Sequence, residues 1–238
     1  MGQRCPECVR QEGTQRVIPR QQALSRTGGA PATMTFIALA VIFFVLTGLG
    51  RDLNGTIGQT LAQANFLVSD GELWRLFTPI LLHAGFMHIL FNMWALWVLG
   101  PQIERGVGTW PFVGAYLASA GMGGAFAFLM GGPQDIAVGA SGAIFGLFGI
   151  WANFAVRRRN TAQGRFLLQQ IGFLLILNAA LPFIIPGIAW EAHLGGLITG
   201  FVIGELWSRV PRVTNAPAVR VAVTAAMAAL AIVLVVVF

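Results

Sequence analysis

Lysine is absent from the 238-residue chain, cysteine occurs twice, and charged residues make up only 10%. A soluble domain carries about 25% charged residues, so this scarcity excludes an ordinary water-soluble globule. The two cysteines form Cys5-Pro6-Glu7-Cys8. A closed zinc-ribbon site needs four ligands, and no second pair and no neighbouring histidine completes it. Two readings stay open: a pair of reduced thiols, or the remnant of a longer ribbon whose other ligands lie elsewhere. No metal and no cofactor is assigned. Internal repeats are also missing, which weighs against an inverted-repeat transporter. The apolar stretches hold few carboxylates, which weighs against ion transport generally.

What the chain has is hydrocarbon: 56% of its residues are hydrophobic and its mean hydropathy is positive. A spanning helix needs about 20 apolar residues, and on that criterion seven spans lie near 33–50, 84–104, 109–131, 139–156, 166–186, 189–208 and 219–238. The fold class expected is an all-α polytopic membrane protein. Every basic residue is an arginine, and 13 of the 15 fall on one side when the spans alternate. The positive-inside rule then places the N-terminus in the cytoplasm and the C-terminus outside. That charge therefore reads as topology rather than as nucleic-acid binding. No cleavable signal peptide is visible, because 32 polar, arginine-bearing residues precede the first span. Three parts are expected: a cytoplasmic tail (1–32), a core of six helices (33–208), and a linker with a seventh helix (209–238). The loop 51–83, with Phe66, Trp74, Leu76 and Leu81, is expected to lie at the membrane interface. Trp74 and Arg75 read first as interfacial anchors.

Within these spans four polar residues stand out. Ser141 opens the fourth span and His193 opens the sixth, and because both spans run inward the two lie at similar depth. Gly142 and Gly146 continue one face from Ser141, while Gly196, Gly200 and Gly204 continue the other beyond His193. Small residues four apart let helix backbones approach closely. A serine next to an imidazole can act as a nucleophile, with the ring taking and returning its proton. In the second span His88 and Asn92, four residues apart, share a helical face. With the Ser141 amide they could donate to a developing oxyanion. No carboxylate sits on the face of His193, so the chemistry suggested is a dyad. His83 is expected to be structural, and Glu104 and Arg105 to fix a loop.

These residues also form a pattern. Trp74-Arg75, His88-x-x-x-Asn92, Gly139-x-Ser141-Gly142 and Ala192-His193-x-x-Gly196-x-x-x-Gly200 together resemble the rhomboid family of intramembrane serine proteases, over roughly residues 35–208. The resemblance implies a six-helix core with one added C-terminal helix. It implies Ser141 as nucleophile, His193 as general base and acid, and His88 and Asn92 as the oxyanion hole. Gly139 and Gly142 would shape the loop that receives the scissile carbonyl, and Trp74-Arg75 would stabilise the first loop. Substrates would be single-pass membrane proteins in the bilayer, often cut after a small residue, and the protein would sit in the plasma (inner) membrane. Phe145 departs from the tyrosine that many bacterial members carry against the histidine. A non-catalytic rhomboid-like binding protein is the alternative.

Overall fold

The computed structural model describes residues 29–180, 184, 187–210 and 216–238. The Cys5–Cys8 motif and nearly all of the N-terminal tail lie outside the described residues. Among the described residues seven long helices stand near the seven expected spans: α1 (Pro31–Leu46), α4 (Phe86–Val107), α5 (Thr109–Met130), α6 (Ser141–Arg157), α7 (Ala162–Ala180), α8 (Trp190–Arg209) and α9 (Ala216–Val237). Among the described residues α4, α5 and α9 are by themselves long and apolar enough to cross a membrane, and α1 is apolar but shorter. α6 has only 17 residues and α8, interrupted by Glu191, His193 and Glu205, is less apolar, so neither reaches that standard alone. Both pack closely on neighbouring helices.

The core forms around α5, whose Phe112, Ala115 and Tyr116 are buried with Leu96 of α4, Leu147 of α6 and Ile203 of α8. Phe36 of α1 stacks on Tyr116 with ring centroids 4.3 Å apart. α9 lies along α5, with Thr224 set against Gly114. The Trp207 ring nitrogen of α8 donates to the Arg220 carbonyl at 3.2 Å. α7 leans mainly on α6 and leaves Phe166, Phe173 and Ile176 exposed, as suits a face towards lipid.

α6 and α8 run parallel and meet backbone to backbone. A Cβ on Gly196 would overlap the Gly142 carbonyl, and one on Gly200 would overlap the Gly146 carbonyl. Dispersion between close backbones is what remains to hold helices together when lipid is as apolar as the side chains. Far from Ser141 the pair is tied again. Asn153 Nδ2 donates to Glu205 Oε2 at 3.0 Å, and Glu205 also accepts from Arg157 (3.1 Å) and Arg209 (2.9 Å).

The segment between α1 and α4 is folded, with part of its apolar surface turned into the protein. It contains α2 (Thr56–Leu61), β1 (Gln63–Ala64), α3 (Asn65–Ser69) and two 3-10 turns, Leu73–Leu76 and Thr78–Leu81. Val68, Leu76 and Leu82 are buried in the protein, while Phe66 and Trp74 stay exposed. β1 pairs antiparallel with β2 (Ile136–Ala137), setting Gln63 opposite Ala137 just ahead of Ser141.

One buried carboxylate fixes the start of α1. Glu104 accepts from the Ala32 and Thr33 amides (3.0 and 2.9 Å) and from the Thr33 and Thr109 hydroxyls (2.7 and 3.0 Å). The first amides of a helix have no partner in their own helix, and here a side chain 71 residues away supplies it. Glu104→Ala strands these buried donors and is expected to lower unfolding stability by about 3 kcal/mol. Glu104→Gln should lose less, both read from denaturant unfolding in detergent.

Candidate active site

Ser141 is the first residue of α6, and His193 lies in the first turn of α8. Because the two helices are parallel and in glycine contact, their first turns are adjacent. The Ser141 Oγ and His193 Nε2 are 2.8 Å apart, a hydrogen-bond distance. Phe145, one turn below Ser141, stacks face to face on the imidazole with ring centroids 4.2 Å apart and planes 6° apart. The ring pair fixes the imidazole plane without a hydroxyl. Among the described residues no carboxylate bonds His193, and Glu191 makes no bond to it.

The approach to Ser141 is shaped by Gly139, whose φ of +124° is a conformation that L side chains rarely adopt. Its N–H donates to the Pro79 carbonyl at 2.9 Å, pinning this loop to the second 3-10 turn. A Cβ there would come within 2.6 Å of His88 Nε2. His88 therefore reaches across from α4 to the loop just ahead of Ser141. Its Nδ1 accepts from the Ala84 amide at 3.3 Å. A ring that accepts at Nδ1 carries its proton on Nε2 when neutral, so its donor points to the Gly139 side. Asn92 is buried and donates back to the His88 carbonyl at 2.8 Å, which leaves one amide hydrogen over. The free amides at the start of α6 add further donors.

His83 is fully buried and packs edge-on against His88, with centroids 5.1 Å apart. Neither of its ring nitrogens has a partner among the described residues. Burial, with His88 adding to it, pushes its imidazole down to about 3, so it is uncharged at neutral pH. Arg75 is no surface anchor. It is 4% exposed, and its guanidinium donates to the Gln59 and Ala62 carbonyls at 2.7 and 2.6 Å and to Glu72. Trp74 beside it is 48% exposed, and its ring nitrogen donates to the Thr60 carbonyl at 3.3 Å.

A small cavity of about 40 Å³ opens beside Ser141, walled by Leu76, Ile80, Ala137, Gly142 and Ala192, with Gln63 as a polar member. Gln63 and Asn65 did not stand out in the sequence. The available signal was two carboxamides two residues apart in an otherwise apolar loop.

This arrangement defines a polytopic helical membrane protein with a serine–histidine pair at the mouth of its bundle. The sequence matches the family model described as the rhomboid domain over residues 70–210. It is 38% identical over 189 residues to rhomboid protease GluP of Bacillus subtilis (strain 168), an alignment covering 76% of this chain and 36% of that protein. It is 36% identical over 176 residues to the same strain's rhomboid protein YdcA, covering 74% of this chain and 88% of that one. Rhomboid-like protease 1 of Toxoplasma gondii is 37% identical over 147 residues, covering 60% and 50%. The chain thus spans about a third of GluP and most of YdcA. The chain belongs to the rhomboid family.

The stacked ring gives a structural test. Phe145→Ala removes a buried aromatic and is expected to cost about 3 kcal/mol of stability. Phe145→Tyr keeps the stack and should change stability by less than about 1.5 kcal/mol. Unfolding of the two variants in detergent measures the difference.

Proposed function

We propose that the chain is an intramembrane serine endopeptidase that cuts single-pass membrane proteins through a Ser141–His193 dyad. The observation that carries this reading is the 2.8 Å contact between Ser141 Oγ and His193 Nε2. The protease names of the relatives support it. In this reading His193 takes the Ser141 proton as Oγ attacks the scissile carbonyl, forming the tetrahedral intermediate. Its oxyanion is met by the His88 Nε2–H, the spare Asn92 hydrogen and the Ser141 amide. Collapse breaks the C–N bond, and His193 gives the proton to the leaving amine. Water, activated by the same imidazole, then hydrolyses the acyl-enzyme. Gly139 and Gly142 keep the path to the carbonyl open. Trp74 and Arg75 brace the loop that walls it.

The working unit is the six-helix core of residues 33–208, with the seventh helix as an addition. In this reading the protein sits in the plasma membrane, and the arginine distribution supports an N-terminus inside, a C-terminus outside and the dyad near the outer surface. The cavity beside Ser141 supports a small residue before the cut bond.

The test is cleavage of a model single-pass substrate in liposomes, together with labelling of Ser141 by a fluorophosphonate. Ser141→Ala and His193→Ala are expected to abolish cleavage while the proteins still fold. Asn92→Ala should lower kcat by about 10²-fold, the usual effect of losing one oxyanion donor. A folded wild-type protein that neither cleaves nor takes the label would instead be a non-catalytic binding protein.

A further inference from the structure

The Gln63 side chain is 2% exposed, yet it lines the cavity beside Ser141. Its orientation is fixed by a chain of hydrogen bonds. Asn65 Nδ2 donates to the Ala127 and Gly132 carbonyls at 3.1 and 2.9 Å. Asn65 must therefore present Oδ1 to its other neighbour, which is Gln63 Nε2 at 3.1 Å. Gln63 Nε2 also donates to the Gly124 carbonyl at 2.9 Å. Both amide hydrogens are then used, and a flipped amide would set oxygen against oxygen at both contacts. Gln63 Oε1 is left as an acceptor with no donor of its own to offer. The pairing of Gln63 with Ala137 holds it at this spot, on the strand just ahead of Gly139 and Ser141.

An acceptor of a buried side chain, open to a small cavity, calls for a donor. The cavity, about 40 Å³, has space for about three waters or one short side chain. Its lining includes Ser141 but none of His193, His88 or Asn92. His193 is not among the residues that a water there would touch. The cavity instead adjoins the nucleophile where a side chain next to the cut bond would sit. Apart from Gln63 and Ser141 its side chains are apolar, and the glycines and alanines among them leave little width.

We infer that Gln63 is a specificity residue, whose Oε1 accepts a hydrogen bond from a serine hydroxyl on the residue preceding the scissile bond. This rests on Ser141 being the nucleophile. A site built to bond a hydroxyl discriminates against the analogue that lacks it, because the buried acceptor is then left unpaired. Serine fits the cavity and supplies the donor. Alanine fits but leaves Oε1 unmet, and valine is too wide.

The experiment uses the full chain in liposomes and three single-pass substrates that differ only in having Ser, Ala or Val before the cut bond, with the bond located by mass spectrometry. The serine substrate is expected to be cleaved about tenfold faster than the alanine one at equal concentration, and the valine one hardly at all. Gln63→Leu and the less disruptive Gln63→Met should bring the serine-to-alanine ratio to about one while keeping alanine cleavage. Fluorophosphonate labelling of Ser141 confirms that each variant is folded. Equal rates on serine and alanine in the wild type would overturn the inference. So would an unchanged ratio in both variants, including equal loss on both substrates, which is the mark of a residue that only shapes the loop. No cleavage of any substrate together with no labelling of wild-type Ser141 would overturn the proposed function itself, and this inference with it.

Discussion

Everything at the mouth of the bundle depends on two helix backbones touching. α6 and α8 press glycine against carbonyl at Gly142–Gly196 and Gly146–Gly200, and no side chain fits between them. In a bilayer the usual drive to bury apolar surface is absent between helices, so close van der Waals contact has to supply the attraction. That attraction is short-ranged and therefore exacting. Once it sets the separation of the two helices, a serine on one and a histidine on the other come to hydrogen-bond distance with little freedom to drift. Phe145 removes most of what freedom remains by lying flat against the imidazole.

The folded segment ahead of α4 forms the opposite wall. It has no long helix to stabilise it, and its support comes from polar groups turned inward. Arg75 gathers two carbonyls and a carboxylate, Asn65 bridges to the end of α5, and the Gly139 amide meets Pro79. A buried guanidinium is costly unless its donors are used, and the Arg75 hydrogen bonds draw the surrounding chain into a defined shape. The irregular backbone is thus satisfied by protein groups.

The helices and the Ser141–His193 proximity were legible because they rest on local rules. Apolar length marks long helices, and small residues four apart mark the faces on which they meet. The Ser141–His193 proximity follows because α6 and α8 run the same way and both begin beside their key residue. What escaped was set by distant contacts. Arg75 next to Trp74 resembles a surface anchor in sequence, and only the fold turns it inward. Sequence does not tell lipid from protein interior, and in this loop Leu76 and Leu82 are buried in the protein while Phe66 and Trp74 stay exposed. The short strand pair and the Gln63–Asn65 relay have no periodicity at all. They bring the 60s to the 120s and 130s through single hydrogen bonds.

The Asn153–Glu205 bond acquires meaning from where it falls. Asn153 lies twelve residues beyond Ser141, and Glu205 lies twelve beyond His193. The two parallel helices are therefore joined by two rungs of equal offset, one at each end, with glycine contact between. A slide of either helix would break both rungs at once, and a splay at one end would be resisted at the other. The serine and histidine are thus carried on a single rigid frame, braced by charged groups at the face of the bundle farthest from them.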